Sequence, residues 1–247
     1  MRKTPKKKKR MNPVRLLSIL VAELLVILVL LTICIKVFPD HPIIAPLLRR
    51  EAKRADVVLD PGHGGYDAGS VYGDLYEKDV TLALAKDVGS RLEANGYHVL
   101  YTRDSDDVPW SDNEVEDLSK RVSISNESGA KLFVSIHTNA TEVDTGSYGY
   151  EVWGKIKEER VFSLSKNILD SLQTLNYSQN RGMKDQDTAP LQVLQNNKLP
   201  SVLIETGFLA SDNDRAFLAN PTKRKQIADK IADGIIHTLE DMKTEEK

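Results

Sequence analysis

The chain has 247 residues, with 34 Lys and Arg against 36 Asp and Glu, and a formal net charge of −2. A hydrophobic fraction of 40% excludes a disordered or collagen-like chain, and one cysteine excludes an intramolecular disulfide framework or a cysteine-cluster zinc site. The near-zero charge hides an asymmetry: residues 1–54 carry 13 basic and 3 acidic residues (net +10), whereas residues 55–247 carry 21 and 33 (net −12).

The basic part opens with a tail, residues 1–15, that holds Arg2, Lys3, Lys6 to Lys9, Arg10 and Arg15. Residues 16–35 follow as a twenty-residue apolar run, fifteen of them Leu, Ile or Val. As a helix this run spans about 30 Å, the thickness of a bilayer core. At about −0.3 to −0.6 kcal/mol each, its aliphatic residues outweigh Glu23, whose insertion costs about 3 kcal/mol. Glu23 is accommodated by protonation or snorkelling, or it marks a helix partner in the membrane. The excess of basic residues before the run places the N-terminus in the cytoplasm and the remainder outside. No A-x-A-like cleavage site follows, and Ile33 is too large for the residue before a lipoprotein cysteine at Cys34, so an uncleaved single-pass signal anchor is expected. Residues 36–54, with Pro39, Pro42 and Pro46, read as a partly extended linker reaching roughly 25 Å as a coil.

From residue 55 onward, short apolar runs alternate with amphipathic stretches, the pattern of an α/β domain. Strands are expected at 56–59, 97–102, 131–136, 148–153, 191–194 and 201–204. Helices are expected at 77–95, 115–128, 158–175 and 221–242, the last with Pro221 in its first turn. A Gly-rich loop covers 60–73, and a polar loop precedes residue 191. The acidic domain lacks the clustered basic residues that phosphate neutralisation needs, so no nucleic-acid partner is expected.

Five histidines are present. His41 falls in the linker, His98 in a strand and His237 on the last helix. His63 and His137 differ, because each comes at or just past the C-terminal end of a predicted strand. In a parallel sheet such ends share one edge, where α/β proteins form their sites. The strand at 201–204 delivers Glu205 to such an end, and Glu77 sits in the first turn of the helix that starts near it. Two imidazoles and one carboxylate with an open position make a catalytic zinc set, and the remaining carboxylate can act as general base. Each residue also has an ordinary reading: loop hydrogen-bonding for the histidines, a helix-dipole partner for Glu77, a solvated loop residue for Glu205.

The stretches 57–65 (VVLDPGHGG), 77–79 (EKD), 135–140 (SIHTNA) and 204–209 (IETGFL) together resemble the zinc-dependent N-acetylmuramoyl-L-alanine amidases of the amidase_3 type. The resemblance runs from about residue 56 to 239. It implies an open α/β sheet, mixed but mostly parallel, with helices on both faces, here preceded by the transmembrane helix. It further implies Zn²⁺ as cofactor, held by His63, Glu77 and His137, with Glu205 as the catalytic glutamate and peptidoglycan as the substrate. The reaction implied is hydrolysis of the amide between N-acetylmuramic acid and L-alanine.

Two departures mark the chain. Ala210-Ser211 stands where the family commonly has Ser-Asn, beside the site. Residues 185–190 are polar where relatives often carry an apolar segment. Only about 20 residues separate Asn139 from the next helix, which leaves no room for the long regulatory insertion some members carry. Asn139 is expected either to touch substrate or to hold its loop. Arg121 and Arg103 are expected either to bind stem-peptide carboxylates or to pair with nearby acids such as Asp104 and Glu127. The tail, single anchor and lone catalytic domain resemble the spore-cortex amidases, which act in muramic-δ-lactam formation with a peptidoglycan deacetylase. A zinc peptidase or small-molecule amidase, and a catalytically inactive wall-binding regulator, are the alternative readings.

Overall fold

The computed structural model describes residues 54–245, apart from 109, 111–112 and 142–145, together with Leu25, Val26, Val29 and Ile33. The expected tail, membrane span and linker therefore lie outside the described residues, save Arg54 and those four, which are helical and exposed. No helix among the described residues is long and apolar enough to cross a membrane.

From Arg54 onward the chain is one compact unit. Its elements are β1 (Val57–Pro61), β2 (Val71–Tyr72), β3 (Leu75–Tyr76), α1 (Glu77–Ala94), β4 (Val99–Tyr101), α2 (Glu114–Glu127), β5 (Leu132–Asn139) and β6 (Tyr150–Gly154). They continue with α3 (Glu159–Gln173), β7 (Asn180–Asp185), α4 (Gln192–Gln195), β8 (Ser201–Phe208), α5 (Asp212–Leu218) and α6 (Pro221–Glu245). Six strands form one sheet in the order β4-β1-β5-β8-β6-β7. All neighbours are parallel except β6 and β8, where the sheet reverses direction. β2 and β3 form a separate antiparallel hairpin.

Alternation along the central strands sorts their side chains onto two faces. Val57, Leu59, Leu132, Val134, Ile136, Val202 and Ile204 join the larger core, with Leu84 and Val88 of α1, Leu164 and Ile168 of α3, and Ile231 and Ile235 of α6. Val58, Phe133 and Leu203 point the other way, into a smaller cluster with Val193 and Leu194 of α4 and Leu118 of α2. This second face is covered by one full helix and a four-residue one, so part of the sheet edge above it stays open. α1 buries positions at helical spacing (Val80, Leu84, Val88, Leu92). α2 is capped by the Asn113 side chain, which accepts from the Glu116 N–H.

Four expectations need correction. Residues 191–194 are not a strand: an apolar run of four is too short for periodicity to decide, and it forms the turn of α4. The polar loop before it contains β7, an edge strand whose six residues are all half-buried and so lack any apolar alternation. The hairpin β2–β3 and helix α5 were not expected; Ser211 caps α5 by accepting from the Asp214 N–H. Finally, β5 and β8 run three and four residues further than expected, so His137 and Glu205 lie within strands.

Candidate active site

Each site residue is placed by a local constraint. Past β1 the chain turns at Gly62, whose N–H donates to the Ile136 carbonyl at 2.9 Å. A Cβ on Gly62 would come within 2.3–2.6 Å of the His137 ring, so only glycine lets this loop pass the imidazole. His63 adopts a left-handed backbone, φ 60°, which swings its ring back over the sheet edge. The hairpin β2–β3 then leads directly into α1, whose first residue is Glu77.

The three side chains meet. His63 Nε2 and His137 Nδ1 each lie 3.2 Å from the same Glu77 oxygen, Oε1, and the two rings sit edge-on with centroids 4.9 Å apart. One ligand-type atom from each of His63, Glu77 and His137 falls within 4.8 Å of the others. Glu77 is nearly fully buried and is held by the N–H of Thr138 on Oε1 and of Ser70 on Oε2, both at 2.9 Å. His63 Nδ1 lies 2.6 Å from Asp67 Oδ2, a carboxylate–imidazole contact that orients the ring and leaves Nε2 toward the centre.

The electrostatics of this cluster favour a cation. Burial alone would raise the Glu77 pKa, but hydrogen bonds and charge from His137 and His63 hold it far below the usual carboxylate range. Burial would lower the His63 pKa, yet Glu77 and Asp67 push it up to about 9. The charge that draws a proton onto His63 would equally favour a divalent cation at this centre. Two imidazoles and one carboxylate suit Zn²⁺ with an open position.

Glu205 stands beside them. It faces His137 across the β5–β8 ladder and Glu151 across the β8–β6 ladder. Its Oε2 is buried and has no hydrogen-bond partner among the described residues. Burial, with the charges of Glu77 and Glu151, pushes its pKa up to about 8. A carboxylate kept without a partner in this position is suited to take up a proton. A cavity of about 350 Å³ opens at the two histidines, lined by His63, Asp67, His137, Arg121, Leu191 and Val193 among others.

The expected substrate contacts fare differently. Arg121 is 2% exposed and has no donor left for a ligand. Its five N–H groups go to Asp117 Oδ1 and Oδ2, Asp60 Oδ1, and the carbonyls of Pro61 and His63. It braces the His63 loop with its donors committed inside the protein, at a wall of the cavity, and its acid partners are Asp60 and Asp117, not Glu127. Arg103 is likewise buried, donating to the carbonyls of Pro61, Gly62, Lys78 and Ser105. Asn139 is half-buried and donates to Glu151 Oε1 at 3.3 Å. The sequence reading missed Asp67, Glu151 and Arg181. Asp67 was signalled only by a carboxylate four residues past His63, and Arg181 lies on the unrecognised strand β7.

This donor set, set at the edge of an open α/β sheet next to an unpartnered carboxylate, defines a hydrolase acting on a polarised carbonyl. The chain belongs to the Amidase_3 family of N-acetylmuramoyl-L-alanine amidases, whose family model matches residues 57–237. It is 36% identical over 189 residues to the germination-specific N-acetylmuramoyl-L-alanine amidase of Bacillus subtilis, covering 73% of this chain and 78% of that protein. The amidase LytC of Bacillus subtilis is 31% identical over 195 residues, spanning 78% of this chain and 37% of LytC. Among solved structures, the amidase AmiC2 of Nostoc punctiforme superposes with a TM-score of 0.67 at 33% identity, covering 76% of this chain and 98% of that one. The CwlD amidase of Clostridioides difficile, solved in complex with the GerS lipoprotein, gives 0.66 at 30% identity, covering 75% and 98%. The chain is thus an amidase of peptidoglycan.

Proposed function

We propose that the protein hydrolyses the amide between the lactyl group of N-acetylmuramic acid and L-alanine in a Zn²⁺-dependent reaction, on the outer face of the membrane that anchors it. The convergence of His63, Glu77 and His137 around one point, with the unpartnered Glu205 carboxylate beside it, carries this reading. His63, Glu77 and His137 would hold the metal. Bound there, Zn²⁺ would supply Lewis acidity for the scissile carbonyl and for a water whose pKa falls toward about 7. Glu205 removes the proton from the attacking water and delivers it to the departing amine of L-alanine. Asp67 keeps the His63 ring in register, and the buried guanidinium of Arg121 fixes the loop that carries it.

Residues 16–35 form the anchor, with the N-terminus cytoplasmic. Spore-cortex maturation, upstream of muramic-δ-lactam formation and with a peptidoglycan deacetylase, is the setting we favour. The relationship to a germination-specific amidase supports it. Cortex muropeptide analysis in a deletion strain tests this setting: loss of the lactam is expected, and an unchanged cortex would refute it. For the chemistry, Glu205→Ala is expected to keep zinc and lose release of peptides with new L-alanine N-termini. Undiminished release would remove Glu205 from its role. His63→Ala is expected to lower the zinc content measured by elemental analysis.

A further inference from the structure

One row of polar side chains crosses four strands of the sheet. His137 faces Glu205 from β5 to β8, Glu205 faces Glu151 from β8 to β6, and Glu151 Oε2 accepts from Arg181 Nε on β7 at 2.8 Å. The first two members belong to the proposed chemistry; the last two have no assigned part in it.

Arg181 is mounted on three sides. Its stem passes over Gly149, where an added Cβ would come within 2.9 Å of Cγ and Cδ. Its guanidinium lies over the Phe208 ring, 5.2 Å from the centroid. Its Nε is fixed by Glu151, which is 5% exposed and is itself held by Trp153 Nε1 at 2.9 Å and Asn139 Nδ2 at 3.3 Å. The side chain keeps 33% exposure, and its two terminal nitrogens have no hydrogen-bond partner among the described residues. Arg103 and Arg121, by contrast, are buried with their donors committed. A guanidinium held this way has already lost its rotamer freedom, and its free nitrogens form the fork that matches a carboxylate.

We propose that Arg181 is a specificity-determining residue that binds a carboxylate on the peptide side of the scissile amide. This rests on the amidase reading above. Strands lie about 4.8 Å apart, so the Arg181 backbone is about 10 Å from that of Glu205. An extended peptide advances about 3.3–3.6 Å per residue, so a carboxylate on the second residue past the amide comes within reach of the guanidinium. Glu151 is the positioning residue for Arg181: its Oε2 accepts from Arg181 Nε and fixes the direction of the guanidinium.

The test uses the full-length, zinc-loaded chain in detergent with two N-acetylmuramoyl-L-alanyl peptides, identical except that the second residue bears a free carboxylate or its carboxamide. Wild type is expected to prefer the carboxylate by about 10- to 100-fold in kcat/KM, mainly through KM. Arg181→Gln is expected to erase the preference by raising KM for the carboxylate substrate, and Arg181→Lys to restore part of it. Zinc content and melting temperature check that the variants are folded; if Arg181→Gln is not, the wild-type preference and Arg181→Lys decide. Absence of any preference in wild type overturns the proposal, as does a preference that survives in Arg181→Gln while kcat falls equally on both substrates. Hydrolysis of neither substrate by zinc-loaded wild type overturns the amidase reading and this proposal with it.

Discussion

Replacing Arg121 by Met removes a guanidinium from the interior without changing the length of the side chain much. Arg121, Asp60 and Asp117 side chains are 2%, 1% and 5% exposed, so the carboxylates left behind cannot turn to water. Asp60 keeps only the hydroxyls of Thr102 and Ser135, and the carbonyls of Pro61 and His63 lose a donor. Breaking a buried pair from one side costs about 3–5 kcal/mol. For a domain of this size each kcal/mol lowers the melting temperature by about 2–4 °C, so a fall of about 6–20 °C is expected. The deficit depends on pH with a definite sign. Burial opposes ionisation of Asp60, but Arg121, Thr102 and Ser135 hold its pKa below the ordinary 3.8. The stability this carboxylate contributes is therefore present above about pH 4 and lost as the pH falls through the folded-state value, so the gap between wild type and variant narrows in acid. Thermal and denaturant melts between pH 3 and 7 measure it. A variant melting within about 2 °C of wild type at pH 7, with KM raised tenfold, would refute the brace and return Arg121 to the substrate.

Gly62→Ala is expected to displace the His137 ring, which an added Cβ would meet at 2.3 Å, and to weaken zinc binding by about 10- to 100-fold in a chelator competition. Glu205→Gln is expected to retain zinc and lower kcat by about 10²- to 10⁴-fold, read in a peptide-release assay. Metal-stripped protein is expected to melt lower as the pH rises. Glu205 climbs from 4.5 to about 8 and His63 from 6.5 to about 9 on folding, so the stability tied to their protonation is full below pH 4.5 and is lost as the pH rises through about 8 and about 9. Melts of chelated protein at pH 5, 7 and 9 check this, and a rise across that range would refute it.

The sequence announced those parts of the molecule whose physics is local. β1 and β5 are buried on both faces and read as continuous apolar runs, and α1 repeats its buried residues every third or fourth position. The site histidines stood out because they end such runs. β7 was not legible: as an edge strand it buries nothing fully, and NRGMKD shows neither period nor apolar run. Arg181 was therefore hidden along with its strand. Arg121 misled for the opposite reason. Nothing around a charged residue on a polar helix signals that Asp60, sixty-one positions earlier, draws it under the sheet edge.

The reversal of β6 against β8 bears on how this scaffold varies. β5 ends at the edge where β6 begins, so Asn139 and Tyr150, the two ends of their connection, both lie at the edge of the sheet where β8 carries Glu205. Lengthening such a link alters no register and no packed face. By loop-closure entropy, doubling it costs only about 0.6 kcal/mol. The antiparallel pairing of β6 with β8 thus gives the fold a socket beside the candidate site, where extra chain can be accepted or dispensed with while His137 and Glu205 keep their places.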